Sequence, residues 1–359
     1  MPELGLRRIK LLLDSLDGDD ASEIFDWSIP DLLRIEGIGE QSAKNLVKFN
    51  DWSLVDRVLD LTEKLGASLV SICDSHYPSL LKHIYDPPVL LWYKGDQSLL
   101  ETDGIAVIGT RNPGKYGMKQ AVEWSRALVE SGLTVNSGLA YGIDSIAHET
   151  SVRSGGKTIA VLGSGIDVIY PAKNRKLVSE MLENGSVIMT EYPPGSAPDA
   201  VNFPERNRIV SGMSHGVLVI ESGIKGGSMI TARSSLDQNR EVFVIPHPLD
   251  YPNGEGCNYL IKTGQGKLIQ TMADILVEIS VQTITESISN VNHLRKKWTM
   301  MSLDDNLASI CELLEKEELH IDQISDKSGL PTYKILPQLL SLELKGAVKQ
   351  KAGKYFELC

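Results

Sequence analysis

Six cations stand where an apolar run gives way to small residues: Arg111, Lys173, Arg175, Arg206, Arg208 and Lys225. A guanidinium is planar, permanently charged and forked, which suits phosphate oxygens. Each of these cations keeps similar company. Arg111 follows Gly109-Thr110, and Lys173 precedes Asn174. Arg206 and Arg208 flank Asn207, and Lys225 leads into Gly226-Gly227-Ser228. A further stretch, Ser137-Gly138, has the same small-residue character without a cation. Glycine turns that open a helix expose backbone N–H groups and the positive helix end to an anion. The chemistry these residue types favour is the gripping of an anion, a phosphate above all.

Catalysis is a weaker reading of the same stretches. Asp144 and His148 stand four apart and could pair as acid and base on one helix face. The plainer expectation is that Asp144 caps a helix starting near Ile143 while His148 packs nearby. Ser137 and Ser228 have no paired base, so no catalytic residue is assigned. The first turn, GTRNPG, is not the GxGxxG of a dinucleotide site, and the second strand ends at Asn136 where an acidic ribose reader belongs. Gly226-Gly227-Ser228 lacks the lysine of a Walker A loop. The seven histidines form no metal-ligand cluster. Neither cofactor nor metal is expected.

The elements that must position these residues are legible as apolar runs. Strands are expected at 105–108, 133–136, 158–162, 186–190, 216–220 and 241–245, with helical stretches between them. Near-continuous apolar strands alternating with helices predict a doubly wound, mostly parallel α/β sheet of Rossmann type. In such sheets ligands bind beyond the carboxyl ends of the strands, where all the residues above fall. The first helix is expected over 118–131, after a loop holding Pro113, Gly114 and Gly117.

Residues 1–66 read as a helical domain, 67–279 as the core with an extension before it, 280–302 as a polar linker and 303–359 as a winged helix. Around Gly37-Ile38-Gly39 the pattern is similar to a helix-hairpin-helix, which grips one DNA phosphate through a glycine turn. Gly37, Gly39 and Lys44 are its weak candidate contacts, and an ordinary helical hairpin is the alternative. Trp92 and Tyr93 are expected to pack rather than to stack bases. In the winged helix, Leu336, Leu339 and Leu340 mark the third helix, Pro337 should kink it, and the wing offers Lys345, Lys349, Lys351 and Lys354. A DNA contact through Lys349 and Lys351 and a protein contact both stay open.

The net charge of −11 opposes nucleic-acid binding unless the cations converge on one edge. The four cysteines are scattered, with no CxxC pair, which suits a reducing cytoplasm. No stretch reads as a signal peptide or a membrane span.

Taken in succession, GIAVIGTRNPGKYG, VNSGLAYGIDSIAHETS, TIAVLGSGIDVIYPAKNRKL, FPERNRIVSGMSHGVLVIES, GGSMITAR, EVFVIP and GCNYLIKTG resemble the DprA/Smf (DNA processing protein A) family. The resemblance runs from about 70 to 355 in the family's order. It implies single-stranded DNA binding, a homodimer through the Rossmann-like core, and loading of the recombinase RecA during natural transformation. The family's phosphate pocket falls on Gly109, Thr110, Arg111, Ser137, Gly138, Lys173, Asn174, Arg206, Asn207, Arg208, Gly227 and Ser228. One departure is Pro246-His247-Pro248, where the family has Pro-Gly; it places bulk at the rim of the site. The rival class is a nucleotide-ligand sensor or a phosphoribohydrolase on a similar fold, with a PGGxGTxxE signature. This chain has GGSMITAR in that place and lacks the glutamate.

Overall fold

All six apolar runs form parallel strands, and their burial explains why. The computed structural model describes residues 4–16, 20–279, 305–314, 318–344, 347–350 and 355–358. The strands are β1 (Ser68–Ser71), β2 (Leu90–Lys94), β3 (Gly104–Ile108), β4 (Thr134–Ser137), β5 (Thr158–Val161), β6 (Val187–Thr190), β7 (Gly216–Val219), β8 (Glu241–Val244) and β9 (Lys267–Leu268). They make one nine-stranded sheet in the order β1-β2-β6-β5-β4-β3-β7-β8-β9. From β6 to β9 every neighbouring pair is parallel. β2 joins β6, and β1 joins β2, in antiparallel register.

Both faces of the parallel strands are covered. Ile159 and Val161 of β5 pack in one layer with Ile209, Met229, Ala232 and Leu260. Ala160 and Leu162 turn the other way, to Val178, Met181 and Ile166. Two-sided burial leaves no polar face, so the runs read as continuous and not alternating.

Going outward from β3, β4 lies on one side and β7 on the other. The chain reverses its direction of travel across the sheet at this point, which opens a crevice beyond the strand ends. The helix after β3 spans Lys115–Glu130 and starts three residues before the expected 118. Gly117 lies in its first turn, and is a helix residue rather than a loop residue.

Residues 1–280 form one compact unit. The helical N-terminal segment has a small core of Leu12, Ile24, Leu32, Ile38, Ala43 and Leu46. Its last helix, Trp52–Lys64, leans on the sheet through Val58. The Trp92 indole donates to Thr62 Oγ1 at 3.0 Å. Trp92 and Tyr93 are each 6% exposed and act as packing residues.

Residues 281–359 form a second unit. Its helices Asp305–Leu314, Ile321–Ser328 and Thr332–Leu344 accompany a sheet of β10 (Leu319–His320), β12 (Tyr355–Leu358) and β11 (Val348–Gln350), in that order. The third helix runs through Pro337. Its buried positions are Ile335, Leu339 and Leu342, whereas Leu336 and Leu340 are exposed, so two of the three leucines that mark it in sequence face outward. The linker 280–302 and Lys345, Lys351 and Lys354 lie outside the described residues.

His148, in the helix Ile143–Arg153, is fully buried, and its Nδ1 is 2.7 Å from Thr158 Oγ1 on β5. Burial pushes its imidazole down from 6.5 to about 3, with the Arg206 charge adding to the effect. The folded value is the lower one, so the unfolded chain binds the extra proton. Stability is therefore full above pH 6.5 and is lost as pH falls toward 3. Through this residue alone, unfolding free energy should drop by about 2 kcal/mol between about pH 6.5 and 5. Urea titrations of His148→Gln should show a flatter profile across that interval. A variant as acid-sensitive as the parent contradicts this.

Candidate nucleic-acid interface

A cleft of about 660 Å³ opens at the crevice between β3 and β7. Gly109, Thr110 and Arg111 come from the end of β3, and Gly138 from the end of β4. Gly227 and Ser228 come from the first turn of the helix Gly227–Asp237, and Arg206 and Asn207 from the helix Asn202–Gly212. These eight expected site residues therefore share one wall-to-wall space. Arg111 is exposed and has no ion pair within 4 Å among the described residues.

The other expected residues divide by role. Ser137 is fully buried and donates to Val107 O at 2.7 Å. The Asn174 amide donates to Leu139 O at 2.9 Å and to Ser145 Oγ at 2.8 Å. Both support the loop after β4 from behind. Arg208 is held by Glu191 through two bonds of 2.8 and 2.7 Å, and by Asp86 at 2.9 Å. Its charge is already matched inside the protein. Lys173 and Lys225 are exposed and do not line the cleft. Lys225 belongs to the loop that supplies Gly223 and Gly226 to the wall.

Arg206 is buried, at 4% exposure. Its Nη1 donates to Gly138 O at 2.6 Å and also to Val161 O. A Cβ at Gly138 would lie 2.7 Å from Arg206 Nη2, so this glycine admits the guanidinium. Burial pushes Arg206 down to about 10, which leaves it charged at neutral pH. Beside it, Asp144 accepts from Gly138 N–H at 3.1 Å and Ala140 N–H at 3.3 Å. Burial pushes its carboxyl above the usual range, against the pull of Arg206 and of those N–H groups. Asp144 therefore does not cap the helix Ile143–Arg153 as expected: the cap position is Gly142, and Asp144, in the first turn, reaches back to the N–H groups of the loop after β4, while His148 turns away from it to Thr158.

Four helices start around the cleft, and their amino ends are not equivalent; that of Asn202–Gly212 carries Glu205 in its first turn. The end of Lys115–Glu130 holds the Glu221 carboxylate, which accepts from Gly114 N–H at 3.0 Å. The end of Ile143–Arg153 carries Asp144 in its first turn. The end of Gly227–Asp237 has no acidic residue in its first turn and no side-chain cap. Nothing lies within 4 Å of where a Cβ on Gly227 would stand. The free positive helix end is therefore the one at Gly227, which lines the same cleft as Arg111.

The cleft also contains two aromatics that fall at strand ends in the sequence but are assigned no site role there. Tyr170 and Phe203 line it, with ring centroids 5.5 Å apart. The Arg206 guanidinium lies 5.9 Å from the Phe203 centroid. A Cβ on Gly163 would stand 2.9 Å from the Phe203 ring, so the glycine after β5 makes room for an aromatic. That contact joins residues 40 apart in the chain, and no local pattern shows it. His247 proves to be behind the cleft and not at its rim. It is 7% exposed, and a Cβ on Gly254 would stand 2.2 Å from its own.

In the helical segment, Gly39 caps the helix Glu40–Val47, and Gly37 adopts φ +95°. Lys44 pairs with Glu40 at 2.7 Å and Arg34 with Asp31 at 3.2 Å. The acidic Glu40 stands in the first turn, where a helix-hairpin-helix would receive a phosphate. Lys349 is exposed on β11, and Lys351 lies outside the described residues. Among the described residues no group of His, Cys, Asp and Glu could hold a metal, and no helix is long and apolar enough to cross a membrane.

Comparison with known proteins gives the family of the chain. Residues 68–280 match the family described as DNA recombination-mediator protein A, and residues 299–354 match the DprA winged helix domain. Protein Smf of Escherichia coli is 32% identical over 99% of this chain and 96% of its own length. DNA processing protein DprA of Bacillus subtilis is 39% identical over 64% of this chain and 76% of its own. The X-ray structure of DNA processing protein A from Streptococcus pneumoniae superposes with a TM-score of 0.67 at 34% identity, covering 78% of this chain and 95% of that one. A structure of DNA processing protein A from Helicobacter pylori, described for its single-stranded DNA binding mode, gives a TM-score of 0.53 at 32% identity over 58% of this chain and 93% of that one. The chain belongs to the DNA recombination-mediator protein A family, the DprA/Smf proteins.

Proposed function

We propose that the cleft binds the backbone of single-stranded DNA without regard to sequence. The observation that carries this is an exposed Arg111 and an uncapped helix end at Gly227 lining one cleft, with Tyr170 and Phe203 in the same wall. Arg111 and the Gly227–Ser228 N–H groups take phosphate oxygens, and Lys173 and Lys225 add long-range attraction from outside the wall. Arg206 shapes the loop after β4 and adds charge from below. Phe203 and Tyr170 offer π-faces to bases, which every base can use. A duplex keeps its bases stacked inside, so this combination favours a single strand. The single-stranded DNA binding mode described for the Helicobacter pylori relative supports the reading.

On this reading the protein works in the cytoplasm as a recombination mediator. It protects incoming single strands and passes them to RecA during natural transformation, as a homodimer through the Rossmann-like core. Family membership supports these steps. The cleft supports the first of them, the holding of the strand.

Affinity for oligo(dT) should fall with salt, with a log–log slope of about −0.7 per phosphate neutralised. Arg111→Ala should reduce that slope by about 0.7 and weaken binding. Phe203→Ala should weaken binding by about 1–3 kcal/mol and leave the slope unchanged, because stacking releases no counterions. Salt-titrated fluorescence anisotropy on oligo(dT) and on duplex of equal length measures both effects. An unchanged slope in Arg111→Ala, or equal affinity for duplex, contradicts the assignment. Tight binding of a free mononucleotide with none for oligo(dT) would transfer the cleft to the small-ligand class.

A further inference from the structure

The turn that carries Arg111 is held on one side by Ile143 N–H, which donates to Thr110 O at 3.2 Å, and at two points by Glu221. The backbone carbonyl of Glu221 accepts from Thr110 N–H at 2.7 Å. Its carboxylate Oε1 accepts from Gly114 N–H at 3.0 Å. Arg111, Asn112 and Pro113 lie between these two attachments. The Tyr251 hydroxyl donates to the same Oε1 at 2.9 Å. Tyr251 in turn stacks on His247, with centroids 5.7 Å apart and planes at 22°. His247 meets Tyr116 edge-on at 5.2 Å and is bonded through Nε2 to Ile220 O at 2.8 Å. The segment after β8 is thereby braced against the first turn of the helix Lys115–Glu130.

Glu221 is fully buried, and its Oε2 has no hydrogen-bond partner. That oxygen rests on Gly117, where a Cβ would stand 2.1 Å away. A Cβ on Gly114 would stand 2.3 Å from the Tyr251 hydroxyl. Two glycines of the NPGKYG turn are therefore required by the carboxylate and phenol behind it, whatever occupies the cleft. A buried carboxylate with an unpartnered oxygen is costly to stability. Glu221 does not line the cleft, so a direct contact with ligand does not account for it.

We propose that Glu221 and Tyr251 form a clamp that presets the Arg111 turn to receive a phosphate. They are positioning residues, and the account rests on the single-stranded DNA reading above. The clamp has a second effect. The carboxylate occupies the amino end of the helix Lys115–Glu130, so the protein's own anion takes the place a phosphate could fill there. The incoming phosphate is left to Arg111 and the Gly227 end.

The test uses the full chain and the variants Tyr251→Phe, Glu221→Ala and Glu221→Gln, each alone and combined with Arg111→Ala. Glu221→Ala should weaken oligo(dT) binding about tenfold and Tyr251→Phe about threefold, in line with the loss of one or two hydrogen bonds to a buried acceptor. Glu221→Gln, whose amide oxygen still accepts from Gly114 N–H, should recover to within about threefold of the parent. In the Arg111→Ala background the further loss from either position should be less than about twofold, because the clamp acts through that arginine. A further loss as large as in the parent overturns the proposal, as does full affinity in Tyr251→Phe. Should Glu221→Ala fail to fold, Tyr251→Phe, which lacks only one oxygen, carries the test. Hydrogen exchange at the Gly114 amide, measured without DNA, should quicken in Tyr251→Phe and Glu221→Ala; unchanged exchange overturns the clamp. If the parent does not bind oligo(dT), the functional reading fails, and the amide exchange still decides whether the clamp exists.

Discussion

The structure depends on one reversal in strand order. β3 has β4 on one side and β7 on the other, and the two ends of this seam are tied by Thr110 N–H to Glu221 O at 2.7 Å. Every residue proposed to meet DNA stands around that tie. Parallel strands all end on the same edge, so their loops and the helix starts that follow converge there. The reversal then spreads the loops apart and leaves a space no side chain fills. The fold makes the cleft, and the sequence at the strand ends gives it charge and shape.

Convergence of helix starts would make any such edge attractive to anions, yet acids stand at three of the four here, Glu205 among them. Asp144 stands at one and Glu221 at another. Both carboxylates are buried and accept backbone N–H groups. The positive potential that remains is narrowed to Arg111 and the Gly227 end, with Arg206 beneath. On the proposed function, this is how a chain of net charge −11 would hold a phosphate backbone. The acids in the site satisfy the protein's own donors, while the unpaired cation is the exposed one. Arg208 shows the opposite arrangement: it sits on the same helix as Arg206, but Glu191 and Asp86 already match its charge.

Much of this was legible in the sequence because its signals are local. Strands buried on both faces give continuous apolar runs, and all six appear within a residue or two of their expected bounds. The strand ends, and with them Gly109–Arg111, Gly138, Arg206 and Gly227, follow from that pattern. What stayed hidden depends on distant contacts. Gly114 and Gly117 look like a phosphate turn, but they are shaped by Glu221, which bonds Gly114 across 107 residues of chain. Phe203 enters the cleft because Gly163 admits it. The outward turn of Leu336 and Leu340 reflects which face of the third helix meets Ile310 and Phe356, and the leucine spacing alone does not decide that.

The central claim is that the strand lies in this cleft and not on the helical hairpin or the wing. Ultraviolet cross-linking of the full chain to oligo(dT), with the linked residues read by mass spectrometry, tests it most directly. Cross-links at Phe203 or Tyr170 and within 109–111 are predicted, lost when unlabelled oligo(dT) competes. Cross-links confined to 37–48 or to 348–358 would contradict the account and move DNA contact away from the crevice between β3 and β7.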